Sequence, residues 1–237
     1  MKKIIFFTLL FIFTLLAIYQ SPNGYLFWGY HRFFYTNTAY KTLTDSIQSF
    51  QKETQYKFLK ANKNEKVQIL ADAQQKIIQN ILEMFNFWYG TDWDMNGTSQ
   101  IPGEGKIACG YFVTTILRDA GFQINRIKLA QYASEKMIVE LIHKKNIKRF
   151  QQVELNKILL EVQKMGNGLY LVGLDTHTGF LLCQNQELTF IHSTRSPPRC
   201  VIQEVAANSE SLQNSAYKII GKIDEKLMQK WLEKAQK

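Results

Sequence analysis

The chain has 237 residues, 46% of them hydrophobic, enough to fill the core of one domain with an appendage. Its net charge of +9 suits an anionic neighbourhood such as a cell envelope or a lipid surface. The lysines are spread rather than massed and no DNA- or RNA-binding motif is present, so nucleic acid is not an expected partner.

Residues 1–22 read as a signal peptide or membrane anchor. Lys2 and Lys3 form a positive start, and the run from Ile4 to Tyr19 is apolar apart from Thr8 and Thr14. Ala17-Ile18-Tyr19 ends in a bulky residue, which is a poor cleavage site and favours an uncleaved anchor over a cleaved signal. The aromatic stretch Tyr25, Phe27, Trp28, Tyr30, Phe33, Phe34 and Tyr35 has the composition of a membrane–water interface. The positive-inside bias then predicts a body outside the cytoplasm, at the cell envelope, membrane-anchored or secreted, with the membrane as a partner.

Residues 23–85 read as a membrane-proximal helical region. One helix is expected over 38–60. A second is expected over 64–86, where Leu70, Ile77, Ile78, Ile81, Leu82 and Phe85 keep a helical period. A loop rich in turn formers follows, from Phe87-Trp88-Tyr89-Gly90 to Pro102-Gly103-Glu104-Gly105. It leads into a helix over 109–120, with Phe112, Val113, Ile116, Leu117 and Ala120 on one face and Gly121 as its stop. Two more helices are expected near 127–143 and 152–165. The basic run His143-Lys144-Lys145-Asn146-Ile147-Lys148-Arg149 between them reads as a solvated helix end.

After Gly166-Asn167-Gly168 the pattern changes to strands over 169–174, 177–183, 188–192, 200–205 and 217–223. An amphipathic terminal helix carries Leu227, Met228, Trp231 and Leu232. Helices first and clustered strands afterward predict an α+β domain over 86–237, with a cysteine helix packed on an antiparallel sheet of about five strands and extra N-terminal helices.

Chemistry concentrates at Cys109, the first residue of its helix. Helix-terminal N–H groups stabilise an anion, so this thiol is expected to ionise below the ordinary value of about 8.5. A thiolate nucleophile needs a base, and the base a third group to orient it. His177 opens one strand and His192 lies near the end of the next, joined by a hairpin that makes them neighbours. Cys183 and Cys200 are either a disulfide that leaves Cys109 unpaired or two buried thiols. The cysteine spacings match no zinc pattern, and Asp92, Asp94 and Asn96 lack the glycine and glutamate of a calcium loop, so no metal or other cofactor is expected.

Ala108-Cys109-Gly110-Tyr111-Phe112-Val113, His177-Thr178-Gly179-Phe180 and Phe190-Ile191-His192-Ser193 together resemble the NlpC-type cell-wall cysteine peptidases of the papain-like superfamily. The resemblance covers about residues 86 to 205. It implies a papain-like fold in which Cys109 is the nucleophile, His177 the base and His192 the orienting residue. Tyr89 would assist at the oxyanion site, Trp88 would contact substrate, and a peptidoglycan stem peptide or other peptide would be the substrate of a monomer. The sequence departs from that pattern at Ala108 and Gly110, where the family has Asp and Ser-Gly, and by a long insertion between Cys109 and His177. Acyl transfer, deamidation, or a catalytically silent scaffold remain alternatives.

Overall fold

A computed structural model describes residues 35–232. Thr36 caps helix α1 (Asn37–Lys60) by accepting from the Ala39 N–H. Asn62 and Glu65 form a reciprocal capping box at the start of α2 (Lys63–Trp88). With only residues 61–62 between them, α1 and α2 are an antiparallel hairpin whose apolar stripes share one core.

The remaining elements are α3 (Cys109–Asp119), α4 (Arg126–Ala130), α5 (Ser134–Leu141), β1 (Ile147–Gln151), α6 (Leu155–Lys164), β2 (Gly168–Leu174), β3 (Thr178–Gln184), β4 (Glu187–Ser193), β5 (Val201–Val205), α7 (Glu210–Asn214), β6 (Tyr217–Lys222) and α8 (Glu225–Leu232). The strands form one sheet in the order β1-β6-β2-β3-β4-β5, with every neighbouring pair antiparallel.

The sheet separates two apolar layers. Leu169, Leu171, Phe180, Ile191 and Ile219 face α2, α3, α5 and α8, while Tyr170, Val172, Leu181, Phe190 and Ile220 face Ile158, Leu159 and Val162 of α6. Burial on both faces explains why β2 reads as a continuous apolar run rather than an alternating one.

The observed α+β class agrees with the expectation, but the helix expected near 127–143 is divided into α4 and α5, α7 is an additional helix, and the sheet differs by one strand. The basic run expected to end a helix instead enters a sixth strand, β1, paired with β6 from Ile147 opposite Gly221 to Gln151 opposite Tyr217. Lys148 and Arg149 lie on this edge strand, where charge discourages pairing with another chain. Edge strands need only one apolar neighbour, so their sequence signal is weak.

The boundary drawn at residue 85 falls inside the main core. The Phe85 ring lies 5.0 Å from Phe180 of β3 and 6.1 Å from Phe112 of α3, centroid to centroid. At the far end of α1, the buried Gln51 amide donates to the carbonyls of Gly121 (2.7 Å) and Trp231. The Trp231 indole in turn donates to Ala120 O at 2.8 Å. The N-terminal hairpin, the end of the cysteine helix and α8 are thus tied together.

One expectation is corrected. No helix among the described residues is long and apolar enough to cross a membrane. Both long helices carry charges along their length, from Lys41 and Asp45 to Lys57 and Lys60 in α1. The membrane and transmembrane reading, with its membrane partner and envelope localisation, is therefore withdrawn; residues 1–22, on which it was placed, lie outside the described residues. Of the two alternatives for Cys183 and Cys200, the structure shows two buried thiols and no disulfide between them. Cys183 pairs with Leu188 beside the β3–β4 turn, whereas Cys200 lies beside Asp92 and Thr194 at the opposite end of β4.

Candidate active site

Cys109 is the first residue of α3, and its cap residue Ala108 offers no side-chain acceptor. The first N–H groups of the helix are therefore free to serve the thiol, which receives backbone hydrogen bonds from Thr178, Gly110 and Cys109 itself.

Three contacts place this helix start. Ser193, the last residue of β4, donates from Oγ to Ile107 O at 2.7 Å. The Ile107 and Ala108 N–H groups donate to Asp92 O (2.8 Å) and Gly97 O (2.9 Å), folding the long loop back on itself. The buried Arg126 bonds to Thr115 Oγ1 (2.7 Å), Thr98 O (3.0 Å) and Ser99 O (2.8 Å), with its guanidinium 4.8 Å from the Tyr111 ring centroid. One cation thus clamps the loop to the cysteine helix.

His177 sits in the tight turn between β2 and β3, where its carbonyl accepts from the Leu174 N–H at 2.8 Å. Its Nε2 lies 2.7 Å from His192 Nδ1. His192, only 1% exposed, places its Nε2 3.0 Å from Glu204 Oε1 on β5. The Phe190 ring stacks on His192 with centroids 4.3 Å apart. Gly179 makes this approach possible, since a Cβ there would lie 2.7 Å from Ile191 O and 2.9 Å from His192 Cβ. The residues Cys109, His177 and His192 singled out from the sequence are therefore gathered at one end of the β3–β4 hairpin. Glu204 joins them as a fourth member.

Electrostatics fix the direction of this chain. Burial pushes the Glu204 carboxyl up, but hydrogen bonds from His192 and Ser209 outweigh it and hold the group below its ordinary range, ionised at neutral pH. Burial pushes His192 down despite the carboxylate, so the ring is neutral. His177 is pushed down to about 3 by burial, then by His192 and by the Arg195 charge. An ionised carboxylate only accepts, so His192 Nε2 carries the proton and Nδ1 the lone pair. That lone pair accepts from His177 Nε2–H, which leaves Nδ1 of His177 as the basic nitrogen.

The thiol behaves differently from expectation. Burial raises the Cys109 pKa, and the three backbone donors offset only part of the rise. Desolvation of a lone thiolate outweighs the helix-terminal field here. Among the described residues no hydrogen bond joins the thiol to the His177 ring; they meet through the backbone of Thr178. The resting pair is therefore neutral thiol and neutral imidazole, not the easily ionised thiol expected from the helix start.

Two residues suggested for substrate contact lie elsewhere. Trp88 is fully buried, with its indole N–H on Tyr40 Oη at 3.0 Å, so its ring has no face to offer a substrate. Tyr89 is also buried, and its hydroxyl donates to Gln203 Oε1 at 2.8 Å, inside the packing beside β5. Neither Glu204 nor Arg126 carries a recognisable signal in the sequence. Glu204 is found only by register, because His192 pairs with Ile202 and Glu204 lies two positions further along the same strand face.

A polar cavity of about 230 Å³ borders His177, with Arg195, Ser196, Glu210 and Asn214 among its walls. Among the described residues no group of three or more His, Cys, Asp or Glu side chains is arranged to hold a metal ion. No protein-family model, curated protein or solved structure matches this chain.

Proposed function

We propose that this protein is a cysteine hydrolase of the NlpC-like, papain-like kind, cleaving amide bonds in peptides. The observation that carries the reading is the chain Glu204–His192–His177, which ends one residue before the N–H that holds the Cys109 thiol. Buried imidazoles in series with a carboxylate are costly to assemble for packing alone.

In the proposed reaction the Cys109 S–H proton passes to His177 Nδ1 as the sulfur attacks the amide carbonyl carbon. In this proposal the α3 N-terminal N–H groups donate to the developing oxyanion. The tetrahedral adduct collapses, the C–N bond breaks, and the leaving amine takes the proton from His177. Water then attacks the thioester, giving its proton to His177, and the carboxylic acid leaves as the thiol is restored. Because thiol and imidazole start neutral and unbonded, their contact forms as the substrate enters.

The test is hydrolysis of a panel of peptides, beginning with peptidoglycan stem peptides, by the wild type and Cys109→Ala. The variant should lose activity by at least about a hundredfold while keeping its circular dichroism and melting temperature. Undiminished hydrolysis by Cys109→Ala would sink the proposal. A second reading, a catalytically silent binding domain, is favoured by the raised thiol pKa. It predicts no alkylation of Cys109 by iodoacetamide in the folded chain, identified by mass spectrometry.

A further inference from the structure

Glu204 has no part in the sequence resemblance, yet it sits at the outer end of the chain that reaches the site. It is 27% exposed by side chain, whereas His192 beside it is 1% exposed. Ser209, fully buried at the N-cap of α7, explains how the carboxylate is held. Its Oγ accepts from the Leu212 N–H at 3.3 Å, so its own O–H remains to donate, and it hydrogen-bonds Glu204. Two donors, one from Ser209 and one from His192, converge on a carboxylate that has only acceptors to offer.

We infer that Glu204 is a positioning residue: by accepting the Nε2 proton of His192, it fixes, two imidazoles away, which nitrogen of His177 carries the lone pair. This rests on the reading of Cys109 and His177 as a nucleophile and base. Two neutral imidazoles sharing one hydrogen bond have two consistent arrangements. In one, His177 Nε2–H donates to His192 Nδ1. In the other, His192 Nδ1–H donates to His177 Nε2. The second puts the proton of His177 on Nδ1 and removes the base. It also turns the His192 Nε2 lone pair toward Glu204 Oε1, acceptor against acceptor at 3.0 Å. Glu204 therefore excludes the unproductive arrangement without touching the thiol or a substrate.

The experiment is long-range ¹⁵N–¹H correlation spectroscopy of the full chain labelled at histidine, at pH 7, with hydrolysis measured on the same samples. The wild type should show His177 and His192 both as Nε2–H tautomers. Glu204→Leu should move a substantial part of both rings to Nδ1–H and lower kcat about tenfold or more with KM little changed. Glu204→Gln keeps an acceptor oxygen of the same reach, so it should retain the wild-type tautomers and recover most of kcat. If Glu204→Leu leaves both tautomers as in the wild type, or if the wild type shows Nδ1–H at His177, the inference is wrong. The spectra decide this even if no peptide is hydrolysed, which would count against the hydrolase reading alone.

Discussion

At Cys109 two effects oppose each other. The helix start and three N–H donors favour the thiolate, while burial favours the thiol, and burial wins. Reading the position from sequence supplies only the first effect, because helix starts are visible in a pattern and desolvation is not. The same holds for His177, whose burial keeps it neutral. Its folded pKa, about 3, lies below the ordinary 6.5, so between these values the unfolded chain binds a proton that the folded chain does not. Stability from this residue is intact above pH 6.5 and is lost as pH falls toward 3. His192 acts in the same direction. Urea midpoints measured from pH 7 to pH 4 should therefore fall more steeply for the wild type than for His177→Gln; parallel curves would show that His177 is charged in the folded protein. Ser193, next to His192, holds Ile107 O and so the approach to Cys109.

Among elements, the cysteine helix depends on one close crossing. At Gly110 a Cβ would stand 2.5 Å from Ala130 O, a backbone atom that cannot rotate away. Gly110 lies in the first turn of α3, so alanine there gains less than the roughly 1 kcal/mol of a helix interior, while forcing a core contact of this kind costs about 1–3 kcal/mol. Gly110→Ala should thus be neutral to destabilising, and its larger effect should be on rate, since α3 must shift to relieve the clash. A thermal melt paired with iodoacetamide kinetics at Cys109 checks this; a clear rise in melting temperature with unchanged alkylation would show that α4 moves freely. The segment between α3 and β2 supports the cysteine helix as well. It contributes Arg126, which clamps the loop to α3, and β1, which completes the sheet edge.

At the scale of the molecule, the N-terminal hairpin belongs to the same core as the helix and strands that carry Cys109, His177 and His192. Gln51 of α1 satisfies two carbonyls at the junction of α3 and α8, and Ile47, Ile77, Ile81 and Met84 are fully buried against the rest. A chain beginning at Lys63 should therefore lose cooperative melting and bind a hydrophobic dye; a sharp transition within a few degrees of the intact chain would show α1 to be an accessory. The sequence by itself determined the long helices, five of the six strands, the α+β class and the order of Cys109, His177 and His192, because these follow from periodicity and turn chemistry, which are local. Only the tertiary structure decided the sixth strand, the burial of Trp88 and Tyr89, the neutral state of the thiol and the place of Glu204. Each of these depends on which surfaces are removed from water and on strand register, quantities set between segments distant in the chain.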